Sequence, residues 1–154
     1  AQSKEYRYTW WAHPAHSPFW RRYSWHAREG LDEKVMHEAS KALLGEHDFS
    51  SFRAAACTAK SPVRRILEAS VRRKGERVQF HIKGQAFLHQ MVRILAGTLY
   101  DVGQGKVKSA DFAGILESRD RKKAGKTAPA EGLILWNIDY GAIPRPGRKV
   151  LQRP

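Results

Sequence analysis

Several things are scarce in this sequence, and each scarcity excludes something. There is one cysteine, Cys57, so no internal disulfide framework and no zinc site of several cysteines can form. No apolar run approaches the roughly 20 residues that span a bilayer, which argues against a membrane protein. No N-terminal stretch reads as a secretory signal, and a reducing, cytoplasmic setting is the expectation. Acidic residues are few, 15 against 28 Lys and Arg, for a net charge of +13. There is no phosphate-binding glycine loop, no nucleophile elbow and no His-Glu-x-x-His pair. His13 and His16 lie close in sequence, but Pro14 breaks the helix that would aim both at one metal ion. No metal site is expected there.

What is present fits one ordinary domain. A chain of 154 residues can bury its own core. Five Trp, five Tyr and six Phe are too many for a disordered basic tail. The cationic excess points to a polyanionic partner, with nucleic acid first in line. The alternative is a merely basic surface.

Tyr6, Tyr8 and Trp10 alternate with Arg7 and Thr9, which predicts a strand over 4–11 with its aromatics on one face. A second, short alternation at Tyr23 and Trp25 follows a loop marked by Pro14 and Pro18. Asp32 is a helix N-cap by type, and Met36, Ala39 and Leu43 recur at helical spacing. A helix over 32–44 is expected, ended by Gly45. Residues 46–62 read as irregular, anchored by Phe49 and Phe52. A hairpin is expected over 63–73 and 76–83, with Leu67, Ala69 and Val71 on one inner face and Val78, Phe80 and Ile82 on the other. Phe87 to Gly103 is apolar almost all round, the pattern of a buried helix. A shorter helix starts near Ser109, with Phe112, Ile115 and Leu116 turned inward. Leu133 to Tyr140 reads as a last strand with Ile134, Trp136, Ile138 and Tyr140 on one face. The expected class is α+β: a mainly antiparallel sheet with helices packed on one face. Residues 1–140 form the domain, and 141–154 form a basic, Pro-rich tail expected to be mobile.

Arg93 falls mid-way along the apolar helix. A guanidinium keeps its proton, so it must pair with an anion or reach solvent. From the pattern alone both remain open. Gly97 and Ala96, one turn on, would let another backbone approach closely. Tyr6, flanked by Lys4 and Arg7, is either a stacking platform for a nucleobase or ordinary strand packing. Arg119 to Lys126 carries five cations in eight positions and could track phosphates or form a solvated turn. Cys57 has no activating partner in sequence and reads as a packed thiol.

Four stretches together carry a resemblance. They are Glu5-Tyr6-Arg7-Tyr8, the run from Leu43-Leu44-Gly45-Glu46 through Phe52-Arg53, Phe87-Leu88-His89-Gln90-Met91-Val92-Arg93 with Gly97, and Asp120-Arg121 followed by Thr127 to Leu133. In this order they resemble the tRNA pseudouridine synthase A (TruA) family, from Lys4 to Tyr140. The resemblance implies isomerisation of uridine to pseudouridine in the tRNA anticodon stem-loop, without a cofactor, by a homodimer of two-part α+β subunits. It implies that Tyr6 stacks on the target base and is a candidate for removing a proton from it. It implies that Arg93 pairs with the catalytic aspartate and that Leu133 packs in the active-site pocket. Arg53, Arg121, Lys122, Lys123 and Lys126 are expected to bind substrate RNA. One departure is large. The family's aspartate sits in a Gly-Arg-Thr-Asp-Ala-Gly stretch that this chain does not contain. The expectation is therefore the second half of a longer enzyme, inactive alone. The alternative is a stand-alone RNA-binding module without catalysis.

Overall fold

The alternation at the start of the chain does make a strand, β1 (Ser3–Trp11). Its Tyr8 and Trp10 are fully buried, as are Val78, Phe80 and Ile82 on the strand beside it. The computed structural model describes residues 1–142. The tail expected at 141–154 lies, from residue 143 on, outside the described residues.

The centre of the sheet is a hairpin, β4 (Val63–Lys74) and β5 (Arg77–Gly84), with β1 antiparallel to β5. Tyr8 lies opposite Phe80, which lies opposite Val71, so one apolar row crosses three strands. Burying each such side chain stabilises the fold by about 1.5–3 kcal/mol. Three helices pack against the sheet: α1 (Glu33–Ser40), α2 (Met91–Gly103) and α3 (Ser109–Ser118). The class is α+β with a mostly antiparallel sheet, as the sequence indicated.

Asp32 caps α1 as its type predicts, its Oδ1 accepting from the backbone N–H groups of Lys34 and Val35. The regular helix ends at Ser40, and a tighter turn, Lys41–Leu43, completes the buried stripe. Gly45 takes a φ of +91° and opens β3 (Gly45–Asp48). This strand pairs with β4, where the sequence suggested only irregular chain. Four residues carry no readable alternation, so β3 exists because β4 offers it a ladder.

Two inner faces differ from expectation for one reason, a bulge. Ile66 pairs with Gly84 and Glu68 with Lys83, which leaves Leu67 as an extra residue. Ile66 is therefore buried at 2% exposure and Leu67 stands out at 44%. In β6 (Leu133–Asp139), Asn137 pairs with Glu5 and Leu135 with Tyr6, leaving Trp136 extra. Trp136 is 55% exposed and stacks under the Arg7 guanidinium, 3.8 Å from its centroid. The bulge sets Ile134 opposite Arg7 and Ile138 opposite Lys4, on different faces, so the single face expected for Ile134, Trp136, Ile138 and Tyr140 does not form.

One edge of β1 carries two strands end to end. β6 runs antiparallel along Ser3–Tyr8, and the short β2 (Trp25–His26) runs parallel beside Trp10 and Trp11. The segment 129–132 therefore sits at the junction of β6 and β2.

Candidate active site

The apolar helix starts later than its composition suggests. Gln90 adopts a left-handed backbone, φ 58°, and α2 begins at Met91. Phe87 and Leu88 are irregular and His89–Gln90 form a turn, so none of the four is helical. Arg93 is thus in the first turn of α2 and not mid-way along it. The remainder of α2 is buried on nearly every side, as predicted.

Arg93 is anchored through one nitrogen. Its Nε donates to the Ala128 carbonyl at 2.8 Å, and the Ala128 N–H donates back to the Arg93 carbonyl at 3.0 Å. Among the described residues no carboxylate pairs with the guanidinium. The half-buried group is held in one orientation with its outer nitrogens available to an anion. Asp48 and Asp120 are engaged elsewhere. Asp48 accepts from Ser50 and faces Arg119, while Asp120 accepts from the Lys122 N–H.

The loop that anchors Arg93 is itself laid onto α2. Gly125 N–H donates to Thr98 Oγ1 at 2.9 Å. Gly97 makes this approach possible, because a Cβ there would overlap the Lys126 carbonyl. The close approach foreseen at Gly97 is therefore present, and its partner is residues 125–128.

Tyr8, next on the face from Tyr6, ties down the same loop. Its hydroxyl donates to the Pro129 carbonyl at 2.7 Å. Burial pushes its pKa well above the ordinary tyrosine value, against the opposing pull of the nearby Arg93 charge. Tyr8 stays protonated and donates. Gly132 packs so tightly on the Tyr8 ring that a Cβ would collide with it. Sequence reasoning did not single out Tyr8 as a site residue. Its position on the Tyr6 face was the available signal.

Tyr6 is half-buried, and its ring meets Phe87 edge-on at 5.1 Å. Leu133, also half-buried, starts β6 directly opposite Tyr8. Tyr6 and Leu133 lie on paired strands, and Arg93 is tied through Ala128 to the segment that leads into β6.

The cations divide into two kinds. Arg121 is turned inward, donating to Gly125 O at 2.8 Å and facing Thr127 Oγ1 at 3.4 Å. Arg53 donates to the carbonyls of Ala59 and Cys57. Both brace loops. Lys122 and Lys123 project into solvent, and Lys126 sets its Nζ 4.9 Å from the Trp25 ring centre. Cys57 is half-buried against the core. No helix is long and apolar enough to cross a membrane among the described residues.

Fold and site together define a basic α+β domain organised around an arginine fixed at the start of a buried helix. A family model described as tRNA pseudouridine synthase matches residues 39–141, and the chain belongs to that family. It is similar to the tRNA pseudouridine synthase A of Pelobacter propionicus, 47% identical over 140 residues, covering 91% of this chain and 57% of the relative. The protein of the same name from Geotalea uraniireducens is 47% identical with the same coverage. That of Vibrio parahaemolyticus is 46% identical, with 53% of its length covered. The chain spans about half the length of the curated relatives it matches.

Proposed function

We propose that this chain supplies the arginine, the base-stacking tyrosine and much of the RNA surface of a tRNA pseudouridine synthase. The observation that carries the reading is Arg93, anchored through Nε and paired with no carboxylate among the described residues. In the reaction the bond from uracil N1 to the ribose C1′ breaks, the base turns, and a bond from C5 to C1′ forms. The C5 proton leaves and N1 ends protonated, so the product is an isomer and no redox partner is consumed. The chemistry needs an ionised carboxylate as nucleophile or acid–base group. Arg93 is suited to hold such a carboxylate ionised. The carboxylate itself would come from outside this chain, since no carboxylate pairs with Arg93 among the described residues and Asp48 and Asp120 are committed to Ser50 and Lys122.

Tyr6 would stack on the flipped uracil and offset part of the few kcal/mol that unstacking costs. On the same reading it would be the candidate to take the C5 proton. Leu133 would form an apolar wall beside the base. Lys122, Lys123 and Lys126 are suited to phosphates of a folded RNA, the anticodon stem-loop of tRNA on this reading. Arg53 and Arg121 would serve that surface by shaping its loops. Homodimeric assembly and a cytoplasmic setting belong to the same reading.

The test is Arg93→Ala in the full-length protein. Turnover of uridine in tRNA should be abolished while tRNA affinity stays largely intact. A loss confined to binding would make Arg93 a phosphate contact and refute the reading. Conversion of uridine by the 154-residue chain alone would require one of its own aspartates to act and would also refute it.

A further inference from the structure

A cavity of about 270 Å³ opens at the junction of β2 and the 129–132 segment. Trp11, Trp25, His16, His26, Arg21 and Glu131 line it, with Pro129. None of these residues has a part in the chemistry described above. The cavity nevertheless shares Pro129 with the site, because the Pro129 carbonyl is the one Tyr8 holds.

We propose that this cavity binds an unstacked nucleobase of the RNA, adjacent to the uridine that reacts, and that it favours a base bearing an exocyclic amine. The proposal rests on the RNA reading above. Its own support is the composition and wiring of the walls. Trp25 is held flat against Tyr100, ring centres 4.1 Å apart, with Lys126 Nζ 4.9 Å from its ring centre; Trp25 lines the cavity and those two residues do not. The His16 and His26 rings lie 4.0 Å apart. Flat, fixed rings of this kind are what a base stacks on. The volume suits a single nucleotide and not a duplex groove.

Beside the donors of the lining, the Arg21 guanidinium and the Ser17 and Ser24 hydroxyls, stand acceptors that suit an amine. His26 Nε2 lies 2.7 Å from the His13 carbonyl, which can only accept, so Nε2 is the donor of that bond. Nδ1 is left buried without a partner. An unpaired buried polar atom is costly, and a ligand hydrogen bond would relieve that cost. Desolvation first, then His26, Arg28 and Arg21, lowers the His16 pKa and favours its uncharged ring. Glu131 is the one carboxylate of the lining, and an ionised carboxylate only accepts. An amine offers it two N–H donors, whereas uracil offers one N–H between two carbonyls. Arg21, an exposed residue of the lining, is available to a flanking phosphate.

The probe is an anticodon stem-loop RNA carrying the fluorescent, amine-bearing base 2-aminopurine next to the target uridine, titrated with the full-length protein. Quenching is expected on binding. His16→Ala with Arg21→Ala, both exposed positions, should weaken binding by about tenfold and abolish the quench, in line with the loss of one stacked base. Glu131→Gln should narrow the preference for 2-aminopurine over uracil at that position. If RNA binds with undiminished affinity and no quench, and the pocket variants change nothing, the pocket is refuted while the RNA reading stands. If no version of the full-length protein binds RNA, both fall together.

Discussion

Arg93 and Tyr8 hold two consecutive carbonyls of one loop. Arg93 Nε takes Ala128 O at 2.8 Å, and the Tyr8 hydroxyl takes Pro129 O at 2.7 Å. A helix start and a sheet strand thereby fix the same short segment, and that segment fixes the guanidinium. Tyr8→Phe removes one bond without emptying the core. It should destabilise the chain by about 1–2 kcal/mol, the cost of leaving the Pro129 carbonyl unpaired, read as a lower midpoint in urea. In the full-length enzyme it should lower turnover more than tRNA affinity.

Gly97→Ala should be far more damaging than its size suggests. The new methyl meets the Lys126 carbonyl, so the 125–128 segment must lift from α2 and release Arg93. A loss of about 1–3 kcal/mol is expected from overpacking alone. Gly114→Ala is the control, because a Cβ there meets nothing within 4 Å. In the interior of α3 it should stabilise by up to about 1 kcal/mol. Paired thermal melts would decide both.

Lys122 and Lys123 project into solvent and brace nothing. Replacing each by Ala should weaken RNA binding and flatten its dependence on log salt, by about one unit of slope for each phosphate no longer neutralised. Arg121→Ala should differ: it frees Gly125 O and Thr127, so stability should fall along with binding. Affinity measured over a salt series, beside melting curves, separates the two roles.

Acid should loosen the contact between α1 and β4. Glu33 has its pKa lowered, first by its own backbone N–H in the first turn of α1 and then by the hydrogen bond from Arg73 Nε at 3.0 Å. A carboxyl depressed in the folded state binds fewer protons there than when unfolded. Its contribution is present above the ordinary glutamate pKa and is lost as pH falls through the lowered one. Glu33→Gln should therefore lessen the pH dependence of stability in that acid range, followed by circular dichroism.

Much of the scaffold was readable because it rests on short-range rules. The alternation of Val78, Phe80 and Ile82 needs only the pleat to place all three inward. Asp32 needs only its short carboxylate to cap α1, and Gly97 announced a close approach by lacking a side chain. Leu67 and Trp136 defeated the same rules, since a bulge is set by what the neighbouring strand pairs with. Gln90 hid the true start of α2, because its left-handed turn has no compositional mark. Tyr6 and Arg93 stood out by pattern and Leu133 by motif resemblance alone, and what anchors Arg93, the Ala128 carbonyl 35 positions on, had no local mark.

By itself the sequence determined the class, the charge, the core rows and the family motifs, because these follow from residue type and periodicity along the chain. Only the tertiary structure decided what Arg93 touches, how Tyr8 reaches Pro129, and that β2 and β6 share one edge to leave a cavity beside the site. Those relationships join residues dozens of positions apart. Their physical basis is hydrogen-bond geometry and close packing in space, which local pattern does not encode.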